Sequence, residues 1–249
     1  MAMKFYDSIY LSPHLDDAVF SCCGNICHEV EKGRHVLIVT LMAGIPEDRM
    51  FSEFQTELHK KWNLTYQAVL HRRIEDEKVC KRIGADCLHA DFADCIYRLS
   101  PYEDKPLYPN RNAVFESRNI FFENSLLDNM ADFINKLPKC DNLYLPLAIG
   151  NHIDHRLTTQ AGKKAEICNH VFYYEDYPYV EYCEKPEFLH NSLWTKKVTS
   201  LNKEILKTRV GLMAEYKSQI NVLFGGYENL KKRASDFYAV HNEVYWQEV

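Results

Sequence analysis

Apolar positions along the chain alternate between two rhythms. Short runs read as strands: Ser8 to Ser12, His35 to Ala43 (H-V-L-I-V-T-L-M-A), Cys87 to Ala90, Leu143 to Leu147 and Val171 to Tyr174. Between them lie longer stretches whose apolar residues recur near a 3.6-residue period, which predicts helices. Asp17 to Lys32 places Val19, Phe20, Cys23, Ile26, Cys27 and Val30 in this rhythm, with Gly33 as a stop. Tyr66 to Ile83, Ile120 to Leu137 and Arg156 to Cys168 read the same way. A continuous β-branched run such as His35 to Ala43 suits a strand covered on both faces, as in a parallel sheet. The alternation therefore predicts an α/β fold with a mostly parallel sheet. Leu193 to Phe224 reads as one or two helices broken by Gly225-Gly226, and Glu243 to Trp246 as a final strand or packed tail. Gly44 to Ser52 and Ala93 to Ser117 lack periodicity and read as loops beyond strand ends, where such folds carry function. No repeat or linker interrupts the pattern, so one domain is expected over residues 1–249.

Composition narrows the classes of function. A hydrophobic fraction of 46% and a charged fraction of 26% are those of an ordinary globular protein. The net charge of -5, with both signs interspersed, argues against a nucleic-acid partner. No run reaches the roughly 18 to 20 apolar residues that span a bilayer, and the start of the chain lacks the pattern of a signal peptide. Nine cysteines without a C-x-x-C pair read as reduced thiols of a cytoplasmic protein rather than a disulfide framework. There is no G-x-G-x-x-G, Walker or G-x-S-x-G pattern, so nucleotide binding and serine-hydrolase chemistry have no support.

Two pentapeptides carry the chemistry: Pro13-His14-Leu15-Asp16-Asp17 and Asn151-His152-Ile153-Asp154-His155. Each follows a strand and opens a helix, and in an open parallel sheet ligands bind beyond the carboxyl ends of strands. His14, Asp17 and His155 supply two imidazoles and a carboxylate, a donor set that suits Zn²⁺ hydrolysis and also Fe²⁺. Asp16 is left as a base beside the ion. His152 is placed as an oxyanion donor, with Asp154 able to hold its tautomer. The competing role for Asp16 or Asp17 is a helix N-cap. Arg72-Arg73-Ile74-Glu75 lies on a helix, where a solvated charged face is the alternative to a binding role, and Glu175-Asp176-Tyr177 follows a strand end.

The two clusters resemble the signatures of the PIG-L/LmbE-like de-N-acetylases, P-H-P-D-D-E and H-P-D-H, in order, separation and context. Arg72 to Glu75 followed by Gly84 resembles the family's intervening helix, and Tyr216-Lys217-Ser218-Gln219 its terminal Y-x-S-Q run. The resemblance implies a Rossmann-like three-layer fold and a zinc-dependent enzyme that removes the N-acetyl group of an N-acetylglucosamine-type amino sugar or its conjugate. It implies His14, Asp17 and His155 as metal ligands, Asp16 as general base, His152 as oxyanion donor and acid, and Asp154 as its orienting partner. An arginine of the Arg72-Arg73 pair is expected near the substrate. Leu15 and Ile153 stand where the family has Pro, and Ala18 where it has Glu; none of these removes a proposed ligand or base. Two alternatives share the residues. One is an amidase on a thiol-sugar conjugate. The other is a non-catalytic carbohydrate- or metal-binding module that stacks sugars on Tyr97, Tyr102 or Tyr108.

Overall fold

A strand with apolar side chains on both faces must be covered on both, and this requirement shapes the molecule. The structure, a computed structural model, describes residues 4–46, 52–65, 67–116, 122–190 and 192–249. Its strands are β1 (Tyr6–Ser12), β2 (Val36–Thr40), β3 (Asp86–His89), β4 (Cys140–Pro146), β5 (Cys168–Tyr174), β6 (Trp194–Thr199) and β7 (Glu243–Glu248). They form one sheet in the order β3-β2-β1-β4-β5-β7-β6. The first five strands run parallel, and β7 pairs antiparallel with β5 and β6. The period of two sorts the side chains. Ile9, Leu11, Leu37 and Val39 enter one core; Tyr10, Val36 and Ile38 enter the other.

The helices are α1 (Asp17–Glu31), α2 (Glu53–Lys61), α3 (Ala68–Ile83), α4 (Arg111–Phe115), α5 (Asn124–Asn135), α6 (Ile153–Gly162), α7 (Lys203–Met213), α8 (Lys217–Phe224) and α9 (Tyr227–His241). Met130 and Ile134 of α5 and Leu157 and Ala161 of α6 close the first core. Phe20 and Ile26 of α1, Val79 of α3, Met213 of α7 and Leu230 and Tyr238 of α9 close the second. Each fully buried Leu, Ile, Val, Met or Phe among them contributes about 1.5–3 kcal/mol. The result is the expected Rossmann-like arrangement of helices, sheet and helices.

Several elements differ from the sequence reading. The helix expected over Arg156 to Cys168 ends at Gly162, because Ile167 enters the first core and Cys168 already pairs with Cys140. Leu193 to Phe224 begins with strand β6 and only then becomes α7 and α8. Helices α2 and α9 were not anticipated, and Ala93 to Ser117 contains a 3₁₀ turn at Cys95–Tyr97 as well as α4. Tyr66, residues 47–51 of the Gly44 to Ser52 segment, Ser117, and the first two residues of the Ile120 to Leu137 segment lie outside the described residues. No helix among the described residues is long and apolar enough to cross a membrane. All nine cysteines are free thiols.

Candidate active site and metal centre

Strand order changes direction between β1 and β4, which opens a crevice at their carboxyl ends. Both pentapeptides enter it. After β1 the chain turns at Pro13, and Ser12 Oγ donates to the His14 carbonyl (2.6 Å) and accepts from the Ala18 N–H (3.0 Å). Asp16 occupies the N-cap position of α1 without capping it, so its carboxylate is not committed to the helix. After β4 the turn needs three residues at positive φ: Ala148 (63°), Gly150 (85°) and Asn151 (65°). A Cβ at Gly150 would lie 2.7 Å from the Tyr179 ring, so glycine is required there on two counts. Asn151 Nδ2 donates to the Phe115 carbonyl (2.6 Å), and the Ile149 N–H donates to Asp176 (2.9 Å). The turn is thus fixed at both ends before it delivers His152 to His155.

The structure brings the expected ligands together. One donor atom each from His14, Asp17 and His155 lies within 4.8 Å of the others. Asp17 Oδ2 accepts from the His14 N–H at 2.8 Å and sits 3.1 Å from His14 Nδ1 and 3.3 Å from His155 Nε2. His155 Nδ1 is held by Asp176 at 2.7 Å, a carboxylate–histidine contact of the kind that orients a metal-binding imidazole. His155 Nε2 is buried without a hydrogen-bond partner in the structure. An orphaned imidazole nitrogen facing a carboxylate oxygen and a second imidazole fits a divalent cation. Charge fits as well. Buried Asp16, Asp17, Asp94, Asp154 and Asp176 outnumber the neighbouring buried guanidiniums of Arg72 and Arg98.

Burial opposes charge on every group here, so the direction of each pKa shows which neighbour prevails. Burial pushes the Asp16 carboxyl up to about 7, against the pull of Arg72 and with the push of Asp17. Burial lowers His155, but Asp17 and Asp176 draw it up to about 9. His14 is likewise drawn well above the usual imidazole value, by Asp94, Asp154 and Asp17 against burial. Carboxylates that attract a proton onto these two rings would attract a metal cation in its place. His152 goes the other way: burial and the neighbouring His14 hold it well below the usual range, so it is neutral. Its Nδ1 accepts from the Asp154 N–H at 3.2 Å, which leaves the proton on Nε2.

Asp154 takes a different place from the one expected. Its carboxylate makes no hydrogen bond to the His152 ring; only its backbone N–H does. Oδ1 accepts from Arg98 Nη2 at 2.5 Å, and Oδ2 accepts from the Cys95 N–H at 3.0 Å and meets His14 Nε2 at 3.0 Å. Burial would raise its pKa, but the Arg98 charge and His14 hold it well below the carboxylate range. Asp154 therefore steadies His14 as much as it faces His152. Arg98 and Asp94 come from the loop after β3, a segment without sequence periodicity. The segment reads as a functional loop in the sequence, but nothing in its pattern singles out these two residues. Asp176 sits in the Glu175-Asp176-Tyr177 segment, which the sequence did mark as following a strand end.

The two arginines divide. Arg72 lines the cavity, stacks over Trp62 at 5.1 Å and reaches Asp16 Oδ1 at 3.4 Å. Arg73 does not line it. Its guanidinium donates to the Ala43 carbonyl (2.7 Å) and Asp91 (2.6 Å), tying the segment after β2 to the segment after β3. Two motifs of the sequence meet each other directly. Glu75 accepts from the Ser218 N–H (3.0 Å) and hydroxyl (2.6 Å) at the start of α8, which brings Gln219 to the cavity wall. Leu15, Ala18 and Ile153 are all buried in apolar clusters, so the departures at these positions are filled by packing. Tyr97, Tyr102 and Tyr108 are not part of the cavity lining. Tyr108 is wholly buried and donates to Glu123, and Tyr102 is 79% exposed. The remaining walls are apolar, with Phe54, Leu58, Trp62, Val114, Phe115 and Leu223 set beside Lys61 and Arg111.

Comparison with known proteins bears on the family and the fold. The family model PIG-L, GlcNAc-PI de-N-acetylase, matches residues 9–166, more than half of the chain and both pentapeptides. The 2'-N-acetylparomamine deacetylase of Niallia circulans is 25% identical over 236 residues, covering 87% of this chain and 82% of that protein. The crystal structure of the zinc-inhibited form of teicoplanin deacetylase Orf2 superposes with a TM-score of 0.80 at 25% identity, covering 99% of this chain and 98% of that one. N,N'-diacetylchitobiose deacetylase from Pyrococcus horikoshii shares the fold, with a TM-score of 0.54 at 16% identity over 98% of this chain and 84% of that one.

Proposed function

The chain belongs to the PIG-L family of de-N-acetylases, and from that premise we propose that residues 1–249 act as one zinc-dependent hydrolase removing the N-acetyl group of an amino-sugar conjugate. One observation carries the reading: donor atoms of His14, Asp17 and the buried His155 converge at the floor of a cavity that His14, Asp16 and Asp17 line, with Asp16 not committed to capping its helix and held only by Arg72 at 3.4 Å. His14, Asp17 and His155 would hold the zinc, which when bound supplies Lewis-acid activation of water and of the amide carbonyl. Asp16 accepts a proton from the attacking water as general base. The neutral His152 ring donates from Nε2 to the oxygen on which negative charge develops. The proton held by Asp16 is the one the leaving nitrogen needs as the C–N bond breaks. The immediate products are acetic acid and a free amine, and the acid's proton passes to the amine to give acetate and an ammonium group, with Asp16 ionised again.

The cavity suggests the substrate class. Lys61, Arg72 and Arg111 offer donors to sugar hydroxyls, while Phe54, Leu58, Trp62 and Phe115 offer an apolar wall to an aglycone. The compounds named for its relatives, 2'-N-acetylparomamine and teicoplanin, are the first conjugates to test. The test is acetate release from a panel of N-acetylated amino sugars and conjugates, with metal content measured by inductively coupled plasma mass spectrometry. The expected result is turnover that a chelator abolishes and zinc restores. Folded protein that binds no divalent metal, or turnover indifferent to its removal, would refute the reading. Better restoration by Fe²⁺ would change the ion and leave the chemistry.

A further inference from the structure

A second cluster of metal-type donors lies outside the catalytic cavity, where α3 crosses β3 at the edge of the sheet. Asp76 and Cys80 are one turn apart on α3 and share a face. Cys87 and His89 are two residues apart on β3 and share a face of the strand. Their donor atoms converge. Cys87 Sγ lies 3.3 Å from His89 Nε2 and 3.6 Å from Asp76 Oδ2. His89 Nε2 lies 2.9 Å from Asp76 Oδ2, and Cys80 Sγ lies 3.9 Å from Asp76 Oδ1. Single donor atoms of Asp76, Cys80 and Cys87 all fall within 4.8 Å of one another.

Two of these spacings, 3.3 and 3.6 Å, are those of a coordination shell, and the 2.9 and 3.9 Å contacts lie a few tenths of an ångström to either side. Ligands bonded to tetrahedral zinc at about 2.0–2.3 Å stand about 3.3–3.8 Å apart along the edges. Thiols are weak hydrogen-bond donors, so a hydrogen-bonded network gives little reason to gather two of them around one carboxylate and one imidazole. The supporting contacts are also present. Asp76 is fixed by the Tyr216 hydroxyl at 2.7 Å and the Thr40 hydroxyl at 3.3 Å, and the far nitrogen of His89 lies 3.8 Å from Glu77.

We propose that Asp76, Cys80, Cys87 and His89 form a structural site for a thiophilic divalent cation of the zinc class, distinct from the catalytic centre. Four protein donors close the shell, as in structural rather than catalytic sites. Binding releases the protons of the two thiols and leaves the imidazole neutral. The ion would staple α3 to β3. Arg72 lies one turn before Asp76 on the same helix, so the staple also sets the height of Arg72 above Asp16.

Cobalt substitution of the full-length protein tests this, because the catalytic donor set contains no sulfur. A thiolate-to-Co²⁺ charge-transfer band in the near ultraviolet that disappears with Cys80 and Cys87 therefore reports the second site. The wild type is expected to show the band and to bind about two metal equivalents, since each site takes one ion. The double substitution Cys80→Ser with Cys87→Ser should lose the band and one equivalent. His14→Ala should lose one equivalent and keep the band, which separates failure of this site from failure of the catalytic one. A wild-type protein without the band overturns the proposal even where a variant fails to fold. A Cys80–Cys87 disulfide in protein prepared with excess zinc, or a band that survives loss of both thiols, overturns it equally.

Discussion

Replacing Arg98 with Met should destabilise the protein far more than loss of a surface ion pair would. Arg98 is buried, and it holds Asp154, which has no solvent exposure, through a 2.5 Å contact from Nη2 to Oδ1. Its Nε lies 3.0 Å from Glu123, itself buried. Met fills much of the volume but leaves two carboxylates without their shared cation. Removing one partner of a buried ion pair costs about 3–5 kcal/mol, against about 0–1 kcal/mol for an exposed pair. In a chain of this size each kcal/mol is worth about 2–4 °C, so the melting temperature should fall by roughly 6–20 °C. Urea denaturation at pH 7 reads the free energy directly, with an unchanged slope showing that the two-state transition is the same. The double substitution of Arg98→Met with Asp154→Asn should recover part of the loss, because the stranded charge is gone. A loss below about 1 kcal/mol in Arg98→Met, or no recovery in the double variant, would show that Asp154 does not depend on this guanidinium and refute the reasoning.

Asp16→Asn should keep its metal content and lose about 10²–10⁴-fold in kcat, the range for removal of a general base; a raised KM with intact kcat would assign Asp16 to binding instead. Gly150→Ala should cost about 1–3 kcal/mol by thermal unfolding, since the added methyl meets Tyr179 in a left-handed backbone conformation; an unchanged melting temperature would contradict it. Glu175 carries a pH dependence of stability. Burial alone would raise its pKa, but hydrogen bonds from His241, Lys185 and Trp246 prevail and hold it below the usual glutamate value. A depressed carboxylate adds stability above the unfolded pKa near 4.5 that is lost as pH falls through the folded value. The stability difference between wild type and Glu175→Gln should therefore be largest at neutral pH and shrink in acid; a difference independent of pH would remove the claim.

The parts of the fold that were legible share one property: their burial is written in contiguous residues. β2 is Val-Leu-Ile-Val-Thr, buried throughout, a short β-branched run suited to a strand covered on both faces. β6 is Trp-Thr-Lys-Lys-Val-Thr, with its two lysines and Val198 exposed. It is an edge strand whose existence depends on pairing with β7, far along the chain, and edge strands carry charge to resist further pairing. α9 presents Leu230, Ala234 and Tyr238 as a single narrow stripe among charged residues, too thin to register as an amphipathic face. The end of α6 was overestimated because Ile167 and Cys168 continue an apolar pattern that belongs to the next strand.

The site divides along the same line. Metal donors that arrive as two pentapeptides are visible because strand ends deliver neighbouring residues to one crevice. The groups that set their charge state come from elsewhere: Asp94 and Arg98 from an aperiodic loop, and Asp176 from a different strand end. Asp154 shows why sequence adjacency misleads about partners. It stands two residues from His152 at the head of a helix, where successive side chains point in different directions. Its backbone N–H therefore meets His152 while its carboxylate reaches Arg98 and His14. The consequence is mechanistic. His152 owes its neutral, Nε2-protonated form to a backbone amide and to burial, so Asp154→Asn should leave that tautomer in place and act instead through His14. Metal affinity should fall more than kcat at saturating metal. Nitrogen-15 NMR of the His152 ring in the variant decides between the two routes: a changed tautomer would return Asp154 to the role its position in the chain suggests.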